Sequence, residues 1–182
     1  MPPKASSGAP SHAEIQTAAD IIRRLPRGFL PYPLFMAITA KIVTPTLELA
    51  VFKEENEALE ILLTRRPDDD EHWPSQWHVP GTVIRSTDNE GSYETCFERI
   101  VRDELRDLVA IDTPEWISIE FWEMERGREL DQLHYATLLR ASDLPNDMQF
   151  FPVDNLPSDL MRHHRDMIAT IAKAYQTRRS DG

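Results

Sequence analysis

Between residues 77 and 108 the chain carries the residue types that could work on a phosphate or hold a metal. They are Trp77-His78, Pro80-Gly81, Arg85, and then Arg99, Asp103, Glu104 and Asp107. Wound as a helix at about 100° per residue, 92–108 puts Arg99, Asp103 and Asp107 on one side and Phe97, Val101 and Leu108 on the other. Ile100 and Glu104 fall on the border. A carboxylate at the edge of an apolar stripe is partly desolvated, which is costly unless a cation meets it. Asp103, Glu104 and Asp107 are therefore a candidate set for Mg2+, which takes few carboxylates, keeps waters and favours phosphate substrates. The plainer reading is a solvated face, because Glu98 with Arg102 and Arg99 with Asp103 stand at the spacing of helix ion pairs.

The elements that must position these residues follow from hydrophobic period and punctuation. A helix is expected over 12–25, ended by Pro26 and Gly28, with a connector around Pro31 and Pro33. The apolar stretch 35–43 fits helix or strand. Alternation at Leu47, Leu49 and Val51, a polar turn at 54–58 and an apolar run at 59–64 predict a hairpin. A short strand is expected at 82–84 and a polar loop at 85–91. A helix follows, N-capped by Ser92 with Glu94 in its first turn and Phe97, Val101, Leu105 and Leu108 on one stripe. Strands are expected at 116–124 and 134–139 around a charged turn at 125–131, then a short extended piece at 150–153. A closing helix over 160–175 turns Met161, Ile168, Ile171 and Tyr175 inward. This order predicts an α+β fold with a mixed β-sheet.

The chain has 182 residues, 41% of them hydrophobic and 28% charged, enough for one domain with its own core. Its net charge of −11 argues against nucleic acid or an anionic membrane as a partner held by bulk charge. An anionic ligand would need local Arg or Lys, or a cation. One cysteine, Cys96, permits no internal disulfide. No apolar run reaches the ~20 residues of a membrane span. Residues 1–12 read as a disordered tail without the apolar stretch of a signal peptide, and the cytoplasm is the expected compartment. The expected division is 13–34 for the N-terminal helix and connector, 35–176 for the main domain and 177–182 for a polar tail.

The run Leu62-Leu63-Thr64-Arg65-Arg66, then Trp77-His78-Val79-Pro80-Gly81, then the helix with Arg99 and Asp103-Glu104, resembles the Nudix superfamily. The element order is similar over nearly the whole chain after residue 35, and the motif match covers about 62–108. The resemblance implies an α/β/α sandwich. It also implies a Nudix box, which here is degenerate. Arg99, Val101 and Glu104 match it, and Asp103 is a conservative change. Thr82 stands at the box glycine and Gly91 at its first Glu, with Glu90 one residue early and the intervening loop three residues longer. Ile100 replaces a metal-binding Glu. Arg106 replaces a glycine, where a left-handed residue would be strained. Within the superfamily, Phe97-x-Arg99-Ile100 with Glu104-Leu105, and His134-Tyr135 entering a later strand, look like the branch that hydrolyses GDP-mannose and related nucleotide sugars. The catalytic histidine of that branch has no counterpart in 142–151, where Asp147 or Gln149 would have to serve.

What the resemblance implies is a hydrolase of nucleoside diphosphate derivatives using Mg2+ or Mn2+. Glu104 would ligate the metal with Asp103 and the Gly81 carbonyl, and Arg99 would support Glu104 or the diphosphate. Arg65, Arg66, Arg85 and His134 would contact substrate. Each has a plainer reading: surface arginines paired with 68–71, and a strand histidine satisfied in place. Trp77 reads as core, and His78, His163 and His164 as structural. Cys96 reads as an inert thiol. The alternative function is a catalytically inactive Nudix-like module that binds a ligand. Attack at phosphorus in the ordinary Nudix way is disfavoured by Ile100. A homodimer is left open.

Overall fold

A computed structural model describes residues 8–28, 30–56, 58–89 and 91–180. Residues 1–7 of the tail expected at 1–12, and the Glu90 of the degenerate box, therefore lie outside the described residues, while Ser11 and His12 cap and open α1. Helices α1 (His12–Arg24) and α2 (Tyr32–Thr39) lead into β1 (Val43–Glu55) and β2 (Ala58–Arg65). Short strands β3 (Trp77–His78) and β4 (Gly81–Val83) precede α3 (Glu94–Arg99). Then come β5 (Val109–Ile111), β6 (Glu115–Met124), β7 (Gly127–Ala141), β8 (Met148–Pro152) and α4 (Arg162–Ser180).

Among the described residues all eight strands join one mixed sheet, whose central path is β3-β2-β1-β7-β5. β1 pairs in parallel with β7 and antiparallel with β2 and β4. β1 is buried over Thr46–Phe52 because both of its faces are covered. Its two-residue repeat sends Ala50 and Phe52 to one side, against Met167, Ile171 and Tyr175 of α4. Leu47, Leu49 and Val51 go to the other, against Cys96, Ile100 and Leu105. Each of the Val, Leu, Ile, Phe and Met side chains among them stabilises the fold by about 1.5–3 kcal/mol. The result is the expected α/β/α sandwich.

Several local expectations change. Pro31 and Pro33 do not extend a connector; they open α2, where a missing N–H costs nothing. The turn expected at 125–131 shrinks to a tight reversal, since β7 begins at Gly127. α4 continues to Ser180, absorbing much of the expected polar tail. Strand β5 is an element the sequence reading missed. α3 is capped at Tyr93 rather than Ser92, with no side-chain cap bond. After six residues it widens into a π turn over Ile100–Glu104, with Leu105 N–H donating to the Ile100 carbonyl at 2.9 Å. The extra residue rotates the stripe, so Cys96, Ile100 and Leu105 become the fully buried line and Phe97, Val101 and Leu108 flank it. Ile100 leaves the border position expected of it and joins the core.

Candidate functional site

The loop after β4 is locked to α3 by Arg99. Its Nε donates to Thr82 Oγ1 at 3.0 Å, Nη1 to Asp88 Oδ1 at 2.6 Å, and Nη2 to Asp88 Oδ2 at 3.1 Å and the Val83 carbonyl at 2.9 Å. Both side chains are more than nine-tenths buried. The guanidinium and the Arg85 backbone N–H hold the Asp88 carboxyl well below the usual carboxylate range. The Cys96 thiol also meets Asp88 and is pushed up to about 11, chiefly by burial. Arg99 thus spends its donors inside the fold and does not face open space. Asp88 was missed from sequence. Its only signal was an acid in the long loop, and nothing in the residues marked Arg99 as buried.

Glu104 ends the π turn at the wall of a polar cleft of about 530 Å3. Its side chain is about one-third exposed, and burial raises its pKa while Arg66 opposes the rise. Asp103 beside it is gripped by Arg102 Nε and Nη2 at 2.7 and 2.8 Å. His78 Nε2 lies 3.8 Å from the Glu104 carboxylate, too far for a hydrogen bond. Burial lowers the His78 pKa to about 3, so the ring is neutral. Its Nδ1 can only donate to the Val79 carbonyl at 2.9 Å, which leaves Nε2 to accept from Thr64 Oγ1 at 3.0 Å.

Three arginines line the same cleft, each already held by an acid. Arg65 is 3.6 Å from Asp159 and donates to the Ser75 carbonyl. Arg66 pairs with Asp70 at 2.7 Å. Arg106 makes a two-pronged contact with Asp147. Arg106 (φ 52°) and Asp107 (φ 55°) form the left-handed turn that closes the helix where a glycine was expected. The structure thus brings Glu104, Asp103, Arg65 and Arg66 to one cleft and adds Arg106 and Asp147. Arg85 lines a different pocket, near the N-terminal helices. His134 is buried, donates from Nδ1 to the Gln132 carbonyl at 3.1 Å and packs edge-on to Tyr93 and Phe97. It does not line the cleft.

A second set of acids lies behind His78. Glu48 of β1 and Glu129 line a small pocket of about 120 Å3 with His163, His164 and Gly81. Glu48 is buried, and its Oε2 has no hydrogen-bond partner among the described residues. Burial, then Asp131, Glu129 and Glu104, push its pKa well above the usual range, favouring the neutral acid. A Cβ on residue 81 would overlap both Glu48 oxygens, so this pocket needs Gly81 to be glycine. Burial lifts Asp131 to about 6 although Thr46 donates to it. Glu129 is held by Arg126.

The donors do not fit the multi-carboxylate Mg2+ site that the resemblance implies. Position 100 is a core isoleucine, Asp103 is held by Arg102, and among the described residues Glu104 is the one box carboxylate at the cleft wall without an ion pair to Arg or Lys. Among the described residues no three His, Cys, Asp or Glu side chains are grouped so as to hold a metal. Among them, too, no helix is long and apolar enough to cross a membrane.

No protein-family model and no curated protein matches the chain. Solved structures do. The chain is similar to the Nudix domain of Shewanella oneidensis NrtR complexed with ADP-ribose, with TM-score 0.56 and 18% identity over 87% of this chain and 97% of that one. It is similar to Shewanella oneidensis NrtR complexed with a 27mer DNA, with TM-score 0.59 and 18% identity, covering 72% of this chain and 62% of that one. It is also similar to a mutT/nudix family protein from Listeria innocua, with TM-score 0.55 and 22% identity over 76% of this chain and 98% of that one. The chain has the Nudix fold.

Proposed function

We propose that this chain is a Nudix-fold module that captures a nucleoside diphosphate derivative in the cleft beside Glu104. The observation that carries it is the three-arginine lining: Arg65, Arg66 and Arg106 converge on one polar cleft of a chain whose net charge is −11. Guanidinium forks recognise diphosphate oxygens in pairs. Their present partners are Asp159, Asp70 and Asp147. A diphosphate would exchange with these carboxylates rather than recruit cations from solvent. ADP-ribose, carried by the NrtR Nudix domain, and nucleotide sugars belong to the class of ligand proposed.

The alternative is a Mg2+- or Mn2+-dependent hydrolase. One observation favours it: Glu104 presents a partly desolvated carboxylate to the same cleft. Nothing in the remaining donor set supports a metal-borne step.

Calorimetric titration with ADP-ribose and GDP-mannose, followed by product analysis with Mg2+ or Mn2+, separates the readings. Saturable binding without turnover supports the module. Release of sugar plus nucleoside diphosphate, abolished by Glu104→Gln, supports the hydrolase. Absence of binding by either compound contradicts both. A parallel titration with duplex DNA, expected to show no binding, tests the charge argument against a nucleic-acid partner.

A further inference from the structure

Helix α1 is well formed but unpacked. The Ser11 hydroxyl accepts from the Glu14 N–H, and the Glu14 carboxylate accepts from the Ser11 N–H, which closes a capping box. Ile15, Ala18, Ala19 and Ile22, with Leu25 at the C-cap, fall on one apolar stripe. Yet none of the 13 residues of α1 is buried, and Ile15 and Ile22 are 53% and 42% exposed. A helix of this length is marginal in water alone and draws its stability from packing its apolar face. The arm meets the body beyond α1, at Gly28, where a Cβ would overlap the Thr87 side chain.

The sheet carries a matching bare face. On one side of it, α3 and the π turn pack over Leu47, Leu49 and Val51 of β1. Beyond them, β6 turns Trp116, Ile119 and Phe121 outward, each about half exposed. Register puts Ile119 and Phe121 on the α3 side, since Leu47 and Ile119 both stand opposite Gln132 of β7, and Phe121 stands opposite Leu130. Ile117 and Trp122 turn the other way and pack against the α4 core.

Charge says what covers this face. Residues 115–125 carry Glu115, Glu120, Glu123 and Glu125 and no Lys or Arg, whereas residues 21–30 carry Arg23, Arg24 and Arg27 and no Asp or Glu. Arg178 on Glu115, Arg128 near Glu123 and Asp20 on Arg23 are exposed pairs, worth little and open to exchange. Two chains of net charge −11 repel except where a basic segment of one meets an acidic segment of the other. Pairing β6 with β6 across a two-fold axis would instead bring acidic strands together.

We propose that α1 of one copy lies on the β6 face of a second copy, which returns the contact to give a two-fold dimer. Ile15 and Ile22 pack on Ile119 and Phe121, and the arginine end of the arm lies along the β6 glutamates.

The test is sedimentation velocity of the full chain and of Ile22→Glu and Phe121→Glu. Both positions are exposed, so both variants are expected to stay folded, as circular dichroism checks. The wild type is expected to sediment as a dimer. Each variant is expected to weaken dimerisation at least about tenfold, the effect of a charge placed in an apolar contact. An equimolar mixture of the two variants is expected to recover dimer, because the intact α1 of one meets the intact β6 face of the other. Should either variant fail to fold, Arg23→Glu/Arg27→Glu carries the test, with dimerisation weakened about fivefold at low salt. The proposal is overturned by a monomeric wild type, by a folded variant that dimerises as tightly as the wild type, or by a mixture that stays monomeric.

Discussion

Arg99 and Asp88 close a two-pronged bridge inside the fold, at 2.6 and 3.1 Å, and that bridge joins the loop after β4 to the helix behind the cleft. Removing one partner leaves the other as an uncompensated buried charge. Asp88→Ala should therefore cost about 3 kcal/mol, or roughly 6–12 °C in Tm. Arg99→Lys should recover little, because an ammonium cannot span Asp88, Thr82 and Val83 together. Thermal unfolding of both variants checks this. The pH dependence has a definite sign. A carboxyl whose folded pKa is depressed contributes its full stability above its ordinary value, 3.8, and loses it as pH falls below that. The acid limb of the wild-type Tm profile below about pH 4 should be shallower in Asp88→Ala.

Asp131 runs in the opposite direction. Its folded pKa is raised to about 6 from 3.8, so its unfavourable contribution is absent at low pH and grows as pH rises from about 4 to 6. Asp131→Asn keeps an acceptor for Thr46 and removes the charge. It should nearly match the wild type at pH 4 and exceed it by about 3 kcal/mol at pH 7.5. Chemical denaturation at the two pH values reads the difference. Equal stability at pH 7.5 would refute the assignment.

Gly81 and Glu48 form a steric pair. Gly81→Ala drives a methyl into the buried carboxylate and should destabilise by about 2 kcal/mol. Most of that loss should disappear in a Glu48→Ser background, which makes room. A double-mutant cycle measures the coupling, and additive effects would show the two positions to be independent.

Arg106 sits at φ 52°, a conformation costing a non-glycine residue about 1 kcal/mol or more. Arg106→Gly should hold or gain stability, whereas Arg102→Gly, within the π turn, should lose about 1 kcal/mol. If Arg106 also recognises diphosphate, the same variant should bind ADP-ribose about tenfold more weakly. Stability and affinity would then move apart, an outcome that a merely structural role would not give.

Much of the frame was legible in the residues. The β1–β2 hairpin, β6 and α4 announce themselves by long periodic runs and clear turns. α2 did not, because the five apolar residues at 34–38 that follow the two prolines suit either period. β5 is three residues long and shows no alternation. The π turn carries no local signature, and it displaced Ile100 from the expected border into the core. At the site, Glu104 with Arg65 and Arg66 was legible as a group. The role of Arg99 was not, because its partner lies eleven residues back across a loop. Nothing in the sequence sets Glu48 apart, since burial on both faces of β1 is a property of the assembled sheet. His134 was drawn in by its neighbour Tyr135, and its contacts are those of a packed strand residue.

The central claim is that Arg65, Arg66 and Arg106 make the cleft a diphosphate site. Its most direct test is calorimetric titration of ADP-ribose into the wild-type chain and into an Arg66→Ala/Arg106→Ala variant that retains the wild-type Tm. The account predicts saturable one-to-one binding by the wild type and at least a hundredfold loss in the variant, about one to two charge-assisted hydrogen bonds. Equal affinity in the two proteins, or no binding by the wild type, would contradict it.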